Sequence, residues 1–152
     1  MPENAIRTFF AYRLAVLADA VSHSVAQLYE ERFGLGRNEW RVLAAIADLE
    51  RTTARDVAVY STLDKMQVSR ALAALEARQL VMRAEGRADR RTKSLVLTGT
   101  GRALYREIVP LVIAQQEKLL AVLTPEQRGV LDGAIDSLLS AARRENLANR
   151  DA

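Results

Sequence analysis

The chain has no cysteine, which excludes disulfides, thiolate metal sites and thiol redox switching. A single histidine, His23, leaves a transition-metal cage without its usual ligands. There is no Gly-rich phosphate loop and no pair of acidic residues at catalytic spacing, so no enzyme and no cofactor are expected. No apolar run approaches the roughly 18 residues of a membrane span, and the N-terminus lacks the basic start and apolar run of a secretory signal. A cytoplasmic protein that does not enter membranes is expected. Repeats, low-complexity stretches and long linkers are also missing.

What remains is 152 residues, 49% of them apolar. That is enough for one domain burying about 70% of its unfolded surface. The net charge of +3 is unevenly spread. Arg37 to Lys93 holds 12 Lys and Arg against 8 Asp and Glu, while the remainder holds 10 against 11. Within this, Lys65 to Lys93 holds 8 against 3. A charge run is often only a solvated face, but positive charge this localised also suits a polyanionic partner.

The most informative stretch runs from Asp64 to Arg78. Asp64 with Gln67 three residues on has the form of a capping box that opens a helix. At 100° per residue Leu72, Leu75 and Gln79 fall within roughly 40° of Val68, and this side faces inward. The opposite side carries Met66, Arg70, Ala73 and Ala77, flanked by Gln67 and Ser69, with Lys65 in the first turn. Such a face suits base edges and phosphates, although alone it is also the pattern of a solvated amphipathic helix.

Its flanks favour the first reading. Residues from about Ile6 to Glu31 form a long helix with Phe10, Leu14, Leu17, Val21, Val25 and Leu28 on one stripe. Phe33-Gly34-Leu35-Gly36 breaks it, and Asn38 to Leu49 begins another, burying Val42, Leu43, Ile46 and Leu49. Thr53 to Asp56 has capping-box spacing and opens a short helix to about Tyr60. Ser61-Thr62-Leu63 then turns into the Asp64 helix, which completes a helix-turn-helix. Leu80 to Glu85 and Ser94 to Thr98 read as short strands around a basic loop, Gly86 to Lys93. From its tip Arg87, Arg90, Arg91 and Lys93 project, and a narrow minor groove attracts arginine. A helix from Thr98 runs past Pro110, where a kink is expected, to about Val122. Thr124-Pro125-Glu126-Gln127 starts a last helix, with Val130, Leu131, Ile135, Leu138 and Leu139 on one face, to near Glu145.

In this order the elements resemble the MarR family of bacterial transcription regulators, best from Phe33 to Leu104. The similarity is carried by Phe33-Gly34-Leu35 with Glu39-Trp40-Arg41-Val42-Leu43, by Val68-Ser69-Arg70 and Leu75-Glu76, by Leu80-Val81, and by Asp89-Arg90-Arg91 with Leu97-Thr98 and Gly101. Two positions depart from the pattern. Gly36 replaces the usual threonine cap, and Gln79 replaces the usual glycine at the recognition-helix end, where a left-handed conformation costs a non-glycine residue about 1 kcal/mol.

The resemblance implies a mainly α fold with a small antiparallel β-wing, spanning residues 1–152 as a single domain. Residues 36–100 would form the winged helix-turn-helix lobe, and residues 1–34 and 101–146 an all-helical dimerisation region. It further implies a homodimer, usually a repressor, that binds a near-palindromic DNA operator and is released by a small, often aromatic acid. The DNA contacts expected are Lys65, Met66, Gln67, Ser69, Arg70, Arg87, Arg90, Arg91 and Lys93. Tyr12, Val16, Asp19 and His23 share one side of the first helix, and Trp40 and Arg41 begin the helix that the resemblance sets against it. Together they could line the effector pocket, with aromatic walls and cations for a carboxylate. Trp40 as plain core and Asp19 with His23 as a surface pair remain open. An effector-free architectural DNA-binding protein of low sequence specificity is the alternative.

Overall fold

The computed structural model describes residues 5–85 and 93–148, which fall into two compact units, Met1–Ile113 and Ala114–Ala152. A 3-10 turn, Ala5–Thr8, precedes helix α1, Phe10–Phe33. That helix stops at Gly34, whose φ of 62° is left-handed. The Gly34 and Leu35 N–H groups donate back to the Glu30 and Tyr29 carbonyls at 3.0 and 3.3 Å, the arrangement that closes a helix end and favours glycine. Leu35 is thereby driven into the core.

Helix α2, Arg37–Leu49, buries Val42, Leu43, Ala45 and Ile46. Leu49, expected among them, is only half-buried. Without a side chain Gly36 cannot cap this helix, but the Glu39 carboxylate accepts its N–H at 3.2 Å and supplies half of a capping box. Helix α3, Ala54–Ser61, starts on the expected Thr53–Asp56 pair: the Asp56 N–H donates to Thr53 Oγ1 at 3.2 Å. Helix α4, Lys65–Ala77, is capped reciprocally, with the Gln67 N–H donating to Asp64 Oδ1 at 2.7 Å and the Asp64 N–H to Gln67 Oε1 at 3.0 Å.

Strands β1, Val81–Glu85, and β2, Lys93–Leu97, pair antiparallel from Val81 opposite Leu97 to Glu85 opposite Lys93. Thr52 forms an extra bridge with Leu95, exchanging N–H···O bonds of 3.2 and 2.7 Å. This bridge ties the approach to α3 onto the sheet, a pairing with no signature in so short a segment. Helix α5, Gly99–Leu120, contains Pro110, and α6 is Pro125–Ala148. Thr124 and Gln127 form the expected cap of α6, with bonds of 2.9 and 3.2 Å. No single described helix is long and apolar enough to cross a membrane.

The core lies in the first unit and is centred on Leu35, Leu43, Ile46, Leu75, Leu95 and Ile108. Fully burying one such side chain stabilises by roughly 1.5–3 kcal/mol. The α1 stripe is buried only in part. Ala26 and Tyr29 are the residues of α1 that are buried, Val21, Val25 and Leu28 are half-buried, and Phe10, Leu14 and Leu17 are exposed. Among the described residues of the first unit, only the C-terminal turns of α1 join its core. In the second unit Ile135, Leu138 and Leu139 are likewise exposed along α6.

Candidate nucleic-acid interface

The inward side of α4 is Val68, Ala71, Leu72 and Leu75, all buried. Gln79, expected beside them, is exposed, because the helix ends at Ala77 and Gln79 turns out of it with φ of 56°. On the other side Lys65, Met66, Gln67, Ser69 and Arg70 are all exposed, as are Ala73 and Ala77. Arg70 makes no hydrogen bond or ion pair with another described residue, so its guanidinium fork is available. Gln67 is partly committed: its Oε1 caps the helix, which leaves its NH2 as the group that can donate outward.

The positive charge of this region divides by role. Arg78 spans to the end of α1, its two terminal nitrogens donating to the Phe33 and Gly34 carbonyls at 2.9 and 3.0 Å. It satisfies acceptors that the helix end leaves unpaired. Arg83 pairs with Glu76 at 2.8 Å. These two cations hold the lobe together, while Lys65 and Arg70, without hydrogen-bond or ion-pair partners among the described residues, can face a polyanion. Lys93 is exposed at the start of β2. Arg87, Arg90 and Arg91 lie outside the described residues.

The expected pocket is only partly assembled. A cleft of about 460 Å³ between α1 and α2 brings together Asp19, Trp40 and Arg41, joined by Ser22, Tyr29 and Arg37. Tyr12 and Val16 line a different groove, beside Arg7 and Arg13, and His23 is exposed and lines neither. Asp19 is paired with Arg37, at 3.1 Å, rather than with His23. The separation is geometric. Residues on one side of a long helix lie on successive turns, and α2 meets only some of those turns.

Trp40 is half-buried between two rings, stacked on Tyr29 at 5.5 Å and on Tyr105 at 5.8 Å between centroids. Burial pushes the Tyr29 phenol above its ordinary pKa and Glu30 adds to this, while Arg37 and Arg41 pull the other way. Sequence reasoning missed Tyr29, Arg37 and Tyr105; the first follows Val25 by four residues, a signal that was present. A larger cleft, about 760 Å³, runs from Arg37, Asn38 and Arg41 to Gln67 and Arg70 on α4. In it Arg41 donates to Thr62 Oγ1 at 2.6 Å. Thr62, left-handed at φ 57°, stands in the turn between α3 and α4.

Comparison with known proteins is consistent with this arrangement. A family model described as "MarR family" matches residues 33–92. The chain is similar to the uncharacterized HTH-type transcriptional regulator YwoH of Bacillus subtilis (strain 168), 31% identical over 98 residues, covering 64% of this chain and 71% of that protein. It is also similar to the phenylalanine–tRNA ligase alpha subunit of Pyrococcus abyssi (strain GE5 / Orsay), 31% identical over 118 residues. That match takes in 76% of this chain but spans only 23% of the ligase subunit's length. Among solved structures, CouR from Rhodococcus jostii RHA1 bound to p-coumaroyl-CoA superposes with a TM-score of 0.77 at 25% identity, covering 92% of this chain and 96% of that one.

Proposed function

We propose, starting from the fact that this chain belongs to the MarR family of winged-helix DNA-binding transcription regulators, that it is a homodimeric repressor which binds a near-palindromic operator and is released by a small aromatic acid. The observation that carries the DNA half is α4. Both of its capping bonds are made, one face is buried, and the other presents Gln67, Ser69 and an uncommitted Arg70 to the outside. Arg70 reads a base edge in the major groove with help from Ser69 and the Gln67 amide, Met66 touches a thymine methyl, and Lys65 neutralises a phosphate. Arg87, Arg91 and Lys93 meet phosphates, and Arg90 enters the minor groove.

The dimer is supported by the apolar residues that the single chain leaves exposed on α1 and α6. Contiguous surfaces of this kind mark association sites. A two-fold axis would set two copies of α4 about one DNA turn, roughly 34 Å, apart. The effector half is supported by the cleft of Tyr29, Trp40, Arg37 and Arg41, which offers aromatic walls and cations to a ring bearing a carboxylate. The similar structure of CouR is bound to p-coumaroyl-CoA. Binding lowers operator affinity only to the extent that the ligand prefers the state without DNA. We read the protein as a regulator rather than an enzyme, acting in the cytoplasm where its operator is.

The test is to select bound fragments from genomic DNA, then titrate the complex with a panel of aromatic acids. A specific site released by one such acid is the expected result. A specific affinity close to the non-specific one, with no release, would instead identify an architectural protein without effector.

A further inference from the structure

Helix α1 serves two ends. Its first half leaves Phe10, Leu14 and Leu17 exposed, the face proposed above for the dimer, and its last turns join the core through Ala26 and Tyr29. The helix then breaks at Gly34-Leu35-Gly36, and α2 begins at once with Arg37. A junction this short, holding two glycines, is where a lobe can turn relative to the helix before it. Leu35, buried in the core, pins it from one side. From the other side it is held by Arg78, forty-four residues beyond Gly34, at the C-terminal end of α4. One terminal nitrogen of Arg78 donates to the Gly34 carbonyl at 3.0 Å and the other to the Phe33 carbonyl at 2.9 Å. The end of α4 is thus bonded directly to the end of α1, where the negative pole of the helix dipole favours a cation. Arg78 is exposed, and exposed contacts of this kind add little to folding stability. What two bonds from one planar fork supply is a fixed direction between α1 and α4.

We infer that Arg78 is a positioning residue for operator recognition: by bracing the end of α4 on the end of α1, it sets the distance and rotation at which the two copies of α4 meet the two half-sites. This inference rests on the proposed two-fold dimer and its operator, and it names what holds their spacing. One base pair inserted between the half-sites moves them apart by about 3.4 Å and turns them by about 36°. A lobe that follows such a shift has to break both Arg78 bonds, a penalty of about tenfold in affinity for two exposed bonds from a charged donor. Without the donors that penalty falls. The base contacts, made by other residues of α4, stay as they were.

The test uses the full chain and synthetic DNA. Selection from random-sequence duplexes with the wild-type protein supplies the inverted repeat, which is then made with one base pair added or removed between its halves, and as a single half-site. Wild type should lose about tenfold or more in affinity for either change of spacing. Arg78→Met keeps the stem length and helix propensity but not the donors; it should lose about threefold or less for the same changes and bind the single half-site as wild type does. Arg78→Lys keeps one cationic donor group in place of the fork and should fall between the two. Since Arg78 is exposed, both variants should fold, and the urea midpoint read at Trp40 checks this. The inference is overturned if Arg78→Met keeps the wild-type spacing penalty, or if it weakens the single half-site as much as the whole repeat, which would make Arg78 a DNA contact instead. If wild type selects no inverted repeat, the operator reading itself fails and the brace with it.

Discussion

Thr98 holds the carbonyl of Gln79: its Oγ1 donates to that oxygen at 2.6 Å, while its own N–H donates to the Leu80 carbonyl at 3.0 Å. The same hydroxyl accepts the Gly101 N–H at 2.9 Å and so caps α5. One side chain thus clamps the exit of α4, where Gln79 sits left-handed without being glycine. The close approach also explains Gly101, since a Cβ there would stand 1.9 Å from the Leu80 carbonyl oxygen. Thr98→Val should destabilise the lobe by about 1–2 kcal/mol through the lost cap and hydrogen bond, and Gly101→Ala by about 2 kcal/mol or more through overpacking against backbone. Gln79→Gly should be neutral or stabilising by up to about 1 kcal/mol. Urea denaturation monitored at Trp40 measures all three, and a neutral Gly101→Ala would mean the helix does not pack this tightly.

Arg70→Ala should cost about 1–3 kcal/mol of operator affinity and relax the preference at one position in each half-site. Lys65→Ala should weaken every sequence alike and lower the salt slope by about 1. Binding selections with the two variants separate these roles. If Arg70→Ala weakens all sequences equally, Arg70 is a phosphate contact only.

Arg90→Ala should reduce affinity most for operators whose flanks are A·T-rich, where the minor groove is narrow and its potential most negative. The comparison needs matched operators differing only in their flanks. Equal losses on G·C-rich flanks would remove the groove-insertion role and leave Arg90 with Arg87, Arg91 and Lys93 as general phosphate contacts.

Leu17→Asp and Leu138→Asp should each give a monomer that no longer binds operator, although neither touches the basic surface. Both positions are exposed in the single chain, so the charge is harmless there but costs several kcal/mol when buried unpaired in an interface. Sedimentation together with gel shifts checks both parts. Retention of the dimer in either variant would place that residue outside the interface.

The raised Tyr29 pKa predicts a loss of stability in alkali. Below the ordinary tyrosine value of 10.0 the phenol is neutral in both folded and unfolded chains and its burial carries no penalty. As pH rises above this, the unfolded chain loses its proton first and is favoured, so stability falls until the folded phenol also ionises. Tyr60, raised mainly because it donates to the Asp48 carboxylate, acts in the same direction. Tyr29→Phe should flatten the decline above pH 10. An unchanged slope would assign it to other groups.

The capping pairs Thr53–Asp56, Asp64–Gln67 and Thr124–Gln127 were legible without coordinates, because each is a hydrogen-bond exchange within four residues of chain. So was the buried face of α4, since Val68, Leu72 and Leu75 obey helical periodicity. Periodicity assumes, however, that the helix continues. Gln79 was placed inside by that assumption and stands outside because the chain turns left-handed after Ala77.

By itself the sequence determined the order of elements, the helix starts, the face of α4 that carries Arg70 and the concentration of positive charge around it. Only the tertiary structure decided which charges are spent within the protein, as Arg78 is on the end of α1 and Arg83 on Glu76. It alone decided that Asp19 pairs with Arg37, eighteen residues away, and that Trp40 stands between Tyr29 and Tyr105. The reason is physical: caps and periodic faces depend on residues a few positions apart, whereas a cleft depends on which turn of one helix the core brings against another.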